Sequence, residues 1–153
     1  WSKSNQIDLQ ILSGGSIGKT MELLNNDGVN LFNSCNEIIK DYPSFNRLKI
    51  LELAKPAKND LAYFKSIGMI LLLIIYRLTL VTCYCKKTEP TQKELEFLSV
   101  VPSNDMTPFL LTNLYSEISK SLAKCEDLNL DFQNEIISSF VLLEKTLLES
   151  SND

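Results

Sequence analysis

The spacing of apolar residues along the chain predicts a series of helices and one element unlike the rest. From Ile67 to Tyr76 there is no charge, and apolar positions run nearly all the way round a helical wheel. A helix that is hydrophobic on every side is buried, in lipid or in protein. A spanning helix needs roughly twenty apolar residues; here the uncharged run is about ten, bounded by Lys65 and Arg77. The pattern therefore predicts the central helix of an all-α bundle, from Asn59 to Lys87. Asn59 or Asp60 would cap its start, and Lys86 and Lys87 would sit at its far end, where cations are favoured. At about 1.5 Å per residue it would be a rod of roughly 40 Å with the other helices wrapped around it.

Before that rod, Ser2–Leu12 is ambiguous between strand and helix, and the helix is preferred because nothing later offers a strand partner. A second helix starts near Ser16, carries Ile17, Met21 and Leu24 on one face, and stops at Asn26-Asp27-Gly28. Gly28–Tyr42 is amphipathic, with Leu31, Phe32, Cys35, Ile38, Ile39 and Tyr42 in one stripe, and Pro43 ends it. Phe45–Ala54 predicts a shorter helix presenting Phe45, Leu48 and Leu51, with Ile50 a further candidate, and Lys55–Lys58 is a break. After the rod, Thr91–Val101 carries the pattern of a short helix through Leu95, Leu98 and Val101. Thr107 is the expected cap of a helix whose first residue is Pro108, running to about Asp127 with Leu111, Leu114, Ile118, Leu122 and Cys125 inward. Asp131 opens the last helix, to about Glu149, with Phe132, Ile136, Phe140, Leu143 and Leu147 inward. Ser150–Asp153 is a polar, frayed tail.

Composition sharpens this picture. Five glycines and five prolines in 153 residues favour long helices over a turn-rich β fold. The net charge of −4 leaves no overall electrostatic footprint for nucleic acid. There is no histidine, so the commonest general base and metal ligand are missing. Cys83 and Cys85 point in different directions on a helix, and Cys35 and Cys125 lie too far off for a zinc pattern. The four cysteines read as reduced core fillers of a cytoplasmic protein. The acid pairs Glu94–Glu96 and Glu126–Asp127 follow no metal-ligand spacing. No catalysis, cofactor or membrane anchor is expected. The chain begins Trp1-Ser-Lys without an initiating Met and without an apolar leader, and reads as a piece of a longer protein.

One stretch comes near to a phosphate-binding loop. Ser13-Gly-Gly-Ser-Ile-Gly-Lys-Thr20 ends in the required Gly-Lys-Thr, but Ser13 stands where the first glycine belongs. No core strand precedes it, and no apolar strand ending in an acid follows to hold magnesium.

Two stretches resemble the delta-prime clamp-loader subunits of bacterial DNA polymerase III. Leu12-Ser-Gly-Gly-Ser-Ile-Gly-Lys-Thr-Met-Glu-Leu-Leu24, followed by Asp27-Gly-Val-Asn-Leu-Phe32, is similar to that family's Leu-Ser-Gly-Gly-Ser-Pro/Ile-Gly-Arg-Ala-Leu-Glu-Leu segment. Leu128-Asn-Leu-Asp-Phe-Gln133, leading into Ile136–Leu143, is similar to its Leu-Asn-Leu-Asp-x-Lys-Gln segment before the last helix. Order, spacing and the long apolar helix between them agree. Thr20 and Met21 depart from the usual Ala-Leu.

The resemblance implies that residues 1–26 end the small helical lid of an AAA+ module and that 27–150 form the all-α collar that joins a ring of subunits, with 151–153 as tail. It implies gamma/tau and delta subunits as partners, with the sliding clamp and primed DNA reached only through the complex. Lys19 matches an arginine that senses nucleotide in ATP-binding relatives; lysine lacks the bidentate fork for phosphate. Exposed residues of the last two helices, Lys120, Lys124, Glu135 and Lys145, are the expected border of the ring contact. Two other readings stay open: an unrelated all-α adaptor or homodimer, from the apolar faces alone, and a degenerate P-loop nucleotide-binding protein, from Ser13–Thr20.

Overall fold

A computed structural model of the chain describes residues 25–83, 92 and 104–151. Among these the protein is all-α, with no strand. The helices are α1 (Asn25–Ile39), α2 (Arg47–Ala54), α3 (Leu61–Thr82), α4 (Met106–Asp127) and α5 (Phe132–Ser151), with a 3-10 turn at Lys55–Asn59 between α2 and α3.

The apolar run makes α3 the core element. Ile67, Ile70, Leu71, Ile74, Ile75 and Leu78 are buried in one cluster with residues of the other four helices. Length and composition alone would let α3 cross a membrane, with a mean hydropathy of 1.9 over its most apolar 18 residues. In this bundle 56% of that window is buried inside the protein.

Three contacts set α4 antiparallel to α3. Lys65 pairs with Glu126 at 3.0 Å, Gly68 faces Leu122, and the rings of Tyr76 and Tyr115 lie 6.5 Å apart. A Cβ on Gly68 would stand 3.1 Å from Leu122 Cδ1, so the small residue lets the two helices approach. α5 turns back beside α4 and parallel to α3, stacking Phe132 on Phe64 with centroids 4.5 Å apart. α1 and α2 pack across the α3 and α5 sides.

The inward residues expected for α4 and α5 are the buried ones. Asp60 caps α3 as expected, its Oδ1 accepting from the Tyr63 N–H at 3.0 Å. The chain between α4 and α5 is a paired stop and start. Asn129 adopts φ 50°, the Leu130 N–H donates to the Cys125 carbonyl and the Asn129 N–H to the Glu126 carbonyl, the pattern of a Schellman C-cap. Asp131 then accepts from the Asn134 N–H at 3.0 Å and starts α5.

Several boundaries differ from the sequence expectation. Asn26-Asp27-Gly28, expected to stop a helix, lie in the first turn of α1; the chain before Asn25 lies outside the described residues. α1 ends at Ile39 rather than Tyr42, because Asp41 and Tyr42 donate to carbonyls three residues back and tighten the chain into turns before Pro43. α3 ends at Thr82, where Cys83 turns extended; Cys85, Lys86 and Lys87 lie outside the described residues. Thr107 is not a cap but a buried residue in the first turn of α4, with Pro108 behind it. The Asn104 side chain accepts from the Met106 N–H instead, at 2.8 Å, and the Thr107 hydroxyl meets Ser150 Oγ at 2.6 Å, tying the start of α4 to the end of α5. In α2 the inward residues are Ile50, Leu53 and Ala54, whereas Leu48 and Leu51 face solvent. The residues expected in the first two helices, the short Thr91–Val101 helix and the phosphate-loop-like stretch lie outside the described residues, Gln92 excepted.

Candidate interaction surface

The two buried cysteines among the described residues are shielded from chemistry. Cys35 is fully buried, and burial pushes its thiol up to about 12. Burial also raises Cys125, followed by the charges of Glu135 and Asp131. Both thiols therefore stay protonated and poor as nucleophiles. Among the described residues no group of histidine, cysteine or acid side chains is arranged to hold a metal.

Lys120 and Lys124 stand exposed on α4, and Lys145 is exposed on α5. Glu135, in the first turn of α5, is half-buried and hydrogen-bonds Ser121 Oγ across the α4–α5 seam. The structure thus brings Glu135 to the α4 segment that carries Lys120 and Lys124. Lys145 does not join them; ten residues along α5 amounts to roughly 15 Å. Lys19 lies outside the described residues.

The stronger cluster sits elsewhere. Glu144, 8% exposed, lies on α5 beside the core residues Phe140, Leu143 and Leu147. Its Oε2 accepts from the buried Phe45 N–H at 2.5 Å, and its Oε1 accepts from Arg47 Nη2 at 2.7 Å. Asn46, between them, caps α2 by accepting from the Leu48 and Lys49 N–H groups. One carboxylate therefore fixes the entry to α2 against the last helix. Sequence reasoning missed Glu144 and Arg47. The available signal was a carboxylate four residues after Phe140 and three before Leu147, at the edge of an apolar stripe.

On the outer side of this cluster Leu48 and Leu51 are 64% and 46% exposed. Elsewhere the large exposed apolar residues include Met69 and Tyr76 on α3, Phe109 and Tyr115 on α4, and Leu128 and Leu130 in the α4–α5 turn.

Compared with protein-family models, curated proteins and solved structures, the chain matches none.

Proposed function

We propose that this chain is the C-terminal part of a delta-prime-type subunit of a bacterial DNA polymerase III clamp loader. In this reading it is a cytoplasmic helical scaffold with no catalysis and no cofactor of its own. Its collar helices hold gamma/tau and delta subunits in the ring, and the complex, driven by ATP on other subunits, loads the sliding clamp onto primed DNA.

The observation that carries the reading is the Leu128-Asn-Leu-Asp-Phe-Gln133 segment. Its residues perform a definite task in this fold: Asn129 takes the left-handed position that stops α4, and Asp131 caps α5. The Leu12–Leu24 resemblance and an all-α bundle around one apolar helix support the same reading.

The test is a pull-down of this chain against purified gamma/tau and delta collar domains at two salt concentrations. A stable complex with either collar is the expected result. No binding to either, together with a discrete homodimer of the free chain, would replace this reading by the unrelated helical adaptor.

A further inference from the structure

The outer seam between α3 and α4 is one continuous apolar surface. Tyr76 on α3 and Tyr115 on α4 meet with ring centroids 6.5 Å apart, and further along Lys65 meets Glu126 at 3.0 Å. Met69 stands between Lys65 and Tyr76 at spacings of four and seven, which keeps it on the same face of α3. Met69 and Tyr76 are each 43% exposed and Tyr115 is 38% exposed; Leu72, between the first two, is partly buried against the core. The facing stripe of α4 is Tyr115, Ser119, Leu122 and Glu126, spaced four, three and four, and Leu122 is the residue that Gly68 meets. These cross-helix contacts join the exposed side chains of the two helices into one patch.

The charges of both helices are paired, buried or off this patch. α3 carries Lys65 and Arg77 only; Lys65 is paired with Glu126, and Arg77 is buried. α4 carries no charge from Met106 to Ser116. Asp105 stands just before it, ten residues or roughly 15 Å from Tyr115. Glu117, Lys120, Lys124 and Asp127 fall on other faces of α4 than the Tyr115–Glu126 stripe. In a chain with 22% charged residues, this face holds one ion pair, at its edge and already closed on itself.

Neutrality selects the occupant. A charged side chain pressed onto the seam would lose water and meet no counter-charge. Phosphates would find no cation to bind, because Lys65 is already on Glu126. Tyrosine and methionine without charge are the make-up of the core of a protein interface.

We infer that the α3–α4 seam docks an uncharged, apolar helix face of a neighbouring collar. This rests on the clamp-loader reading and deepens it by naming the face and the chemistry of its occupant. It moves the ring contact from Lys120, Lys124, Glu135 and Lys145 to Met69, Tyr76 and Tyr115.

The experiment measures the affinity of the whole chain for the purified gamma/tau and delta collars at low and high salt, for wild type, Met69→Glu, Met69→Lys and Lys120→Glu/Lys124→Glu. Wild-type affinity should hardly change with salt. Met69 is exposed and both replacements are good helix formers, so these variants should keep the wild-type unfolding midpoint. Both should bind at least about tenfold more weakly, Glu and Lys alike, because the occupant offers neither sign a partner. The double lysine variant should bind as wild type does. If wild type binds and both Met69 variants bind equally well, the face is wrong while the clamp-loader reading stands. If only one Met69 variant weakens binding, or wild-type affinity falls steeply with salt, the occupant is charged and its proposed neutrality is overturned. If the lysine variant alone weakens binding, the contact lies on another face of α4. If wild type binds neither collar, both inferences fall. A homodimer, or attachment to phosphatidylcholine vesicles, that the Met69 variants abolish would assign the face to a second copy or to a lipid surface and overturn the proposed occupant.

Discussion

The backbone N–H of Phe45 and the carboxylate of Glu144 meet at 2.5 Å although 99 residues separate them. Phe45 is 1% exposed, so its N–H has no water to turn to if the carboxylate is removed. The Arg47 guanidinium on the same carboxylate is half in solvent. The two interactions therefore differ in weight.

Glu144→Ala should destabilise the protein by about 2–3 kcal/mol, the cost of a buried donor losing a charged acceptor. Arg47→Ala should cost under about 1 kcal/mol, as for a solvent-screened ion pair. Urea unfolding of the two variants measures the difference, and equal losses would show that the ion pair and not the Phe45 N–H holds the joint.

Alkali should loosen the fold. Burial raises Cys35 from 9.0 to about 12. Tyr63 rises from 10.0 to about 12 through burial and then the charges of Cys35 and Asp60, and its hydroxyl donates to the Leu53 carbonyl at 2.5 Å. The unfolded chain gives up these protons at lower pH than the folded one. Between roughly pH 9 and 12 the folded state thus binds more protons, and stability falls as pH rises. The urea midpoint should be level near pH 8 and drop by pH 10.5, and Cys35→Ala, though less stable throughout, should show a shallower drop.

Thiol labelling of the native protein should follow burial. Cys83 is half-buried and should react first among the described cysteines, while Cys35 and Cys125 should react only on unfolding. Mass spectrometry of labelled peptides with and without urea gives the order.

Gly68 is predicted to tolerate one carbon and little more. Gly68→Ala gains about 1 kcal/mol of helix propensity but must push Leu122 Cδ1 from 3.1 Å, so the net change should stay within about 1 kcal/mol. Gly68→Val should cost about 1–3 kcal/mol by overpacking. In a double-mutant cycle Leu122→Ala should recover part of that loss, because the valine then fills space the leucine has left.

The α4–α5 turn separates conformational from packing effects. At φ 50° Asn129→Gly should be neutral or slightly stabilising, whereas Asn129→Val should cost about 1–2 kcal/mol. Asp131→Ala should cost about 1 kcal/mol as a lost cap. Thermal unfolding of the three variants resolves their order.

The faces of α4 and α5 were legible because each helix carries one apolar stripe over several turns, and a long period leaves a single way to bury it. α2 was not. In two turns Leu48, Ile50, Leu51 and Leu53 occupy more than one face, and the choice among them is made by α5 and by the contacts of Phe45 and Arg47 with Glu144. Thr107 was misread because a threonine before a proline suits a cap, while its hydroxyl is committed to Ser150 on another helix. Glu144 escaped notice for the same reason: a carboxylate on a helix looks solvated until a partner 97 residues away comes beside it. The joint between α2 and α5 through Glu144 was therefore hidden in the sequence.

The Phe45–Glu144 bond also sets an order of events during synthesis. A ribosome adds residues at about 5–20 per second, so Phe45 leaves the peptidyl centre on the order of 5–20 s before its acceptor is made. Within that interval α2 and the apolar α3 are made first, then α4, and the last helix only at its end. Until the last helix emerges, Phe45 and the buried face of α3 lack the residues of α5 that cover them, and a ribosome stalled before Glu144 would release a chain with its core open.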